Sequence, residues 1–144
     1  MAASVFTLYN EAKKYLGNGT IQLGVSSLKM KLATSASNAS TFTLSTFASI
    51  TSEISARGGY VAGGRALASV VWTVGASAKQ YMLDAADLVF TASGSALNNV
   101  KFAVIGISGG KCLCWSKLST SQFTVSNGNT LTVQFNASGI FTLV

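Results

Sequence analysis

Four carboxylates, two cysteines and ten cationic side chains are all that this 144-residue chain offers to acid–base, metal or nucleophilic chemistry, and it has no histidine. Without imidazole, Ser–His and Cys–His nucleophile activation, histidine acid–base work and most zinc sites are excluded. A calcium cage or a metal-dependent nuclease would need nearly all four carboxylates in one place. Asp84 and Asp87 have the composition of a glycosidase couple, but between two apolar runs they fit a turn in which aspartate bonds backbone N–H groups. Cys112 and Cys114 stand at i and i+2, which in a regular strand turns both toward one face. A disulfide so local is strained, and two thiolates alone are an incomplete soft-metal set. They are read as reduced, buried or half-buried thiols. Gly58, Gly59, Gly63 and Gly64 lie between Arg57 and Arg65, yet no Gly-Lys-Ser/Thr follows and no helix opens after them. A phosphate loop is therefore set aside for a turn-rich connection. The composition argues against an enzyme, and no cofactor or metal is expected.

The formal charge is +6, from ten Lys and Arg against four Asp and Glu, and charged residues make up only 10% of the chain, against a usual quarter. Serine and threonine number 34, so neutral hydroxyls must supply much of the polar surface. The cations occur singly or in small pairs (Lys13 with Lys14, Lys29 with Lys31), without the basic stripe of a nucleic-acid binder. Trp72, Trp115 and Phe135 read as core or interface anchors rather than sugar platforms. The first ten residues lack the basic head and apolar stretch of a signal peptide, and no apolar run approaches the roughly 20 residues that span a bilayer. Synthesis in the cytoplasm is expected, with neither membrane nor nucleic acid as a partner.

The elements that must carry these residues follow from periodicity. Leu8, Ala12, Tyr15 and Leu16 share one face of a short helix near 8–16, with Asn10, Glu11, Lys13 and Lys14 outward, and Gly17-Asn18-Gly19 ends it. From Thr20 the period becomes two. Ile21, Leu23 and Val25 suggest a strand, and Leu28, Met30 and Leu32 alternate with Lys29, Lys31 and Ala33 in a strand with one apolar and one basic face. Residues 34–41 read as a surface loop. Phe47, Ile50 and Ile54 within 42–54 fit a turn and a half of helix. Strands are expected at 66–74, 79–83, 88–92, 100–107, 111–118, 122–125, 130–135 and 140–143, separated by turn signals. Gly109-Gly110 and Asn127-Gly128-Asn129 suit tight hairpins. The spacing predicts one all-β domain, an antiparallel β-sandwich of jelly-roll type with a short N-terminal helix and strands from about 20 to 143. No proline guards its sheet edges.

Residues 9–13 (Tyr-Asn-Glu-Ala-Lys), 60–68 (Tyr-Val-Ala-Gly-Gly-Arg-Ala-Leu-Ala), 83–90 (Leu-Asp-Ala-Ala-Asp-Leu-Val-Phe) and 131–143, with its Gln-Phe-Asn-Ala-Ser-Gly-Ile-Phe core, form a series. Together they resemble a family of small structural proteins of tailed bacteriophages, over nearly the whole chain. The resemblance implies a virion component: a capsid decoration, or cement, protein on the outer surface of the major capsid protein shell. It would be a trimer or other homo-oligomer. The alternative is a tail or fibre adhesin module that binds a host-surface glycan. The chain departs from the family in its charge, since relatives usually carry more Asp and Glu. Lys13, Lys14, Arg57 and Arg65 fall outside the alternating core pattern and are the expected capsid- or partner-binding residues.

Overall fold

The computed structural model describes residues 5–24, 27–75 and 77–143. Its elements run β1 (Thr7–Leu8), α1 (Asn10–Gly17), β2 (Leu28–Ala33), a 3-10 turn (Phe47–Ser49), β3 (Arg65–Ala66), β4 (Val71–Val74), β5 (Tyr81–Asp84), β6 (Leu88–Thr91), β7 (Leu97–Val100), β8 (Phe102–Ile107), β9 (Cys112–Lys117), β10 (Phe123–Val125), β11 (Thr130–Val133) and β12 (Phe141–Leu143). The fold is all-β with a short N-terminal helix. Every strand pair is antiparallel, in sheets of order β1-β9-β8-β2-β3, β12-β5-β4, β10-β7 and β11-β6.

Helix α1 starts two residues later than the periodicity suggests. It buries Ala12 and half-buries Tyr15 and Leu16, as their spacing requires. Just beyond it, Gly19 takes φ +80°, a left-handed turn that glycine makes without a Cβ clash. The chain then reverses, so that the Ile21 N–H donates to the Tyr15 carbonyl at 3.0 Å and the Ile21 side chain is buried. Residues 20–24 are therefore a turn and not the strand that alternation suggests, and Val25 lies outside the described residues.

Strand β2 forms as expected, but its basic face does not. Lys31 and Ala33 are buried along with Leu28, Met30 and Leu32. The reason is a second cover on the central sheet. Segment 42–54 lies along it, pairing Thr46 with Lys111 and Glu53 with Ala33. Of the helix suggested there, only the 3-10 turn forms, while Phe47, Ile50 and Ile54 are all buried. The Phe47 ring lies so close over Gly106 that a Cβ there would come within 2.4 Å of it. The Lys31 ammonium donates to the Phe47 carbonyl at 2.9 Å and lies 4.4 Å from that ring's centroid. A buried ammonium thus finds an acceptor and a π face in place of water.

Two further expectations change. The run 66–74 divides into β3 and β4, with Ser69 at φ +53° between them. Asn127-Gly128-Asn129 does not close a β10–β11 hairpin. β10 pairs with β7 and β11 with β6, and Ala92 bridges the two turns, donating to Asn129 and accepting from Gly128. The four strands make two separate two-stranded sheets, and of β7 only the last residue, Val100, is expected from periodicity. Gly109-Gly110 does close the β8–β9 hairpin. The buried side chains form one continuous core running through all four sheets.

Candidate partner-binding surfaces

The glycine-rich connection is built around one carboxylate. Glu53 Oε1 accepts the Tyr60 hydroxyl at 2.5 Å and the Gly63 N–H at 2.9 Å. The Tyr60 hydroxyl in turn accepts the Leu32 N–H at 3.1 Å. Burial, then the hydrogen bond to Glu53, pushes the Tyr60 phenol well above its ordinary range. This loop and β6 enclose a cavity of about 340 Å³ lined by Tyr60, Val61, Gly64, Arg65, Phe90 and Leu97 among others. The Tyr60 and Phe90 rings lie 6.0 Å apart, and the Arg65 guanidinium donates to the Val89 carbonyl. Tyr60→Phe removes the acceptor for a buried backbone N–H and the donor to Glu53. It should cost about 2 kcal/mol in urea unfolding, with Glu53→Gln costing less because an amide oxygen still accepts. An unchanged midpoint for Tyr60→Phe would show that the loop does not depend on this hydroxyl.

The four cations singled out from sequence are all exposed, but they are not one patch. Lys13 and Lys14 lie on α1, which directly follows β1, while Arg65 lies in β3 and Arg57 at the start of its loop. β1 and β3 are the two opposite edges of the five-stranded sheet, roughly 19 Å apart at the usual strand spacing. Lys14 pairs with Glu11 at 3.7 Å on the helix surface. Arg65 lines the loop cavity and Arg57 does not.

All four carboxylates are occupied within the chain. Besides Glu11 and Glu53, Asp84 Oδ1 accepts the Ala85 N–H at 2.9 Å and Asp87 Oδ1 accepts the Phe135 N–H at 3.0 Å. Asp84 thus bonds the backbone of its own turn, as expected, whereas Asp87 ties the β5–β6 connection to the segment just after β11, 48 residues away. Among the described residues no three His, Cys, Asp or Glu side chains come together as metal ligands, and no helix is long and apolar enough to cross a membrane. Cys112 and Cys114 are buried free thiols. The β8–β9 register shifts between them, with Ile105 opposite Cys114 and Gly106 opposite Cys112, which breaks the simple alternation that would set both on one face.

One surface was not apparent from sequence. In the β4–β5–β12 sheet, Val74, Tyr81 and Leu143 stand in register across three strands, 47%, 47% and 37% exposed. The next apolar row inward is Trp72, Leu83 and Phe141, with Leu83 and Phe141 buried and the Trp72 ring 5.6 Å from Tyr81. A core face therefore continues into solvent at one end of this sheet. Each strand shows only ordinary alternation, so the exposed row depends on register across residues almost 70 apart in the chain. Comparison with family models, with curated proteins and with solved structures finds no match to this chain.

Proposed function

We propose that this chain is a bacteriophage capsid decoration protein, which attaches in many copies to the outer surface of the major capsid protein shell and stabilises the head. The observation that carries this reading is the Val74–Tyr81–Leu143 row: an uncharged apolar surface in a three-stranded sheet whose outer strands contain neither proline nor lysine. Neighbouring copies or shell subunits packed there bury apolar area, contributing about 25 cal/mol per Å². The hydroxyl-rich surface around it desolvates more cheaply than a charged one. With its carboxylates occupied internally, the chain presents positive charge to an acidic shell. Small contacts per copy add through multivalency. The sequence resemblance points to the same class of protein.

The test is copy number and re-binding. Quantitative mass spectrometry of virions should find roughly the stoichiometry of a shell lattice, in the hundreds per particle. A dozen or fewer would transfer the chain to the tail or a fibre and favour a glycan-binding adhesin. Charge reversal at Lys13 and Lys14, and separately at Arg57 and Arg65, should slow association with undecorated shells at low salt without releasing copies already bound, because rim charges act mainly on association. Unchanged association in both variants would remove these edges from the interface.

A further inference from the structure

The fold brings together two cations that are sixteen residues apart in sequence. Phe102 pairs with Lys117 across β8–β9, and the Leu118 N–H closes the end of that pairing on the Lys101 carbonyl at 2.8 Å. Lys101 reaches round the strand end to within 5.6 Å of the Phe102 ring centroid. Both lysines line a groove of about 410 Å³ with Thr7, Ser40, Phe102 and Trp115. Trp115 meets Phe102 edge-on at 6.1 Å and the half-exposed Phe42 edge-on at 6.2 Å. Among the described residues no carboxylate lies within ion-pair distance of either lysine. The indole N–H of Trp115 is the one buried side-chain polar atom among them without a hydrogen-bond partner.

We infer that this groove binds an acidic peptide segment of a partner protein, with carboxylates on Lys101 and Lys117 and an adjacent apolar side chain against the Trp115–Phe102 wall. Two like charges held together without a counter-ion are relieved by an anion, and the aromatic wall gains from covering apolar surface. Inorganic phosphate would satisfy the lysines alone. A polynucleotide needs a track of cations, and among the described residues that line the groove Lys101 and Lys117 are the only two, with Lys31 buried and Arg65 at the far sheet edge. Acidic peptide is the ligand that uses both halves of the groove. This inference stands apart from attachment to a shell, which copy number and particle re-binding score separately.

The test is a heteronuclear NMR titration of the full chain with a blocked hexapeptide, Asp-Glu-Phe-Asp-Glu-Leu. Its Asn/Gln counterpart and inorganic phosphate serve as separate probes. Saturable shifts confined to residues around Thr7, Lys101, Phe102, Trp115 and Lys117 are expected, with a Kd of about 1 mM or tighter. The doubly neutralised variant Lys101→Gln/Lys117→Gln, both at solvent-accessible positions, should bind at least ~10-fold more weakly while keeping a dispersed spectrum. Trp115→Phe should weaken the acidic peptide yet leave phosphate shifts unchanged. The inference is overturned by absence of shifts at about 5 mM peptide, by shifts spread equally over the α1 lysines, or by equal binding of the Asn/Gln peptide. Phosphate reproducing the full pattern would equally overturn it, since the groove would then read charge alone.

Discussion

Gly64→Ala is expected to lower the melting temperature by roughly 10 °C, the largest effect of any single methyl group added to this chain. Gly64 sits at φ +90°, immediately before β3, and a Cβ there would lie 2.2 Å from the Met30 carbonyl oxygen and 2.6 Å from its carbon. Met30 is fully buried in β2 and paired on both sides, with Arg65 and with Ile105, so its backbone has no direction in which to retreat. Left-handed strain of about 1–2 kcal/mol adds to an overpacking cost of about 1–3 kcal/mol, against a total stability of about 5–15 kcal/mol for a domain of this kind. Gly63 separates the two contributions. It has φ +97° in the same loop, but nothing lies within 4 Å of its would-be Cβ. Gly63→Ala should therefore show the conformational strain alone, about 1–2 kcal/mol. Equal losses in the two variants would mean that the loop does not press on Met30 as the structure has it.

The second large effect is alkaline destabilisation. Burial pushes the Cys112 thiol up to about 12, with nearby Lys31 pulling the other way, and burial also raises Cys114 well above its ordinary value near 9. Both groups are neutral when protonated, so the fold favours the thiol over the thiolate. Below about pH 8 both states keep their protons and stability is flat with respect to these groups. Above about pH 9 the unfolded chain gives up thiol protons that the folded chain retains, and stability falls by up to about 1.4 kcal/mol per pH unit for each thiol. Buried Tyr9 and Tyr60, whose phenols are also shifted upward, add to the loss above about pH 10. Urea midpoints in reductant, taken at about pH 7.5, 9 and 10.5, should fall steeply over the last interval. Cys112→Ala should flatten that slope, whatever it does to the midpoint at neutral pH. A flat profile to about pH 10.5, or one indifferent to Cys112→Ala, would show that these thiols ionise freely in the folded protein.

What sequence determined about this protein is whatever local period and backbone chemistry encode. The change from helical spacing at Leu8–Leu16 to alternation afterwards predicts an all-β fold behind one short helix, and the structure has it. Gly109-Gly110 marks a hairpin because its two strands are neighbours in the chain. Asp84 holds its turn through the neighbouring Ala85 N–H, an acceptor role that needs only local chain, whereas the Asp87 carboxylate bonds Phe135, 48 residues away. Tertiary structure decided everything that depends on which segments meet. Alternation in β2 predicts one wet face, but segment 42–54, which has no clear period of its own, covers that face and takes Lys31 inside. Asn127-Gly128-Asn129 has hairpin chemistry, yet its flanking strands pair elsewhere because Leu97–Val100 and Leu88–Thr91 already offer edges in register. The lysine pair at 101 and 117 and the row Val74–Tyr81–Leu143 are equally products of cross-strand register. The physical reason is common to all of them. A residue's period shows that its strand has two faces, but burial of each face is set by a partner distant in sequence, and one register choice there moves a charge or an apolar side chain from solvent to core.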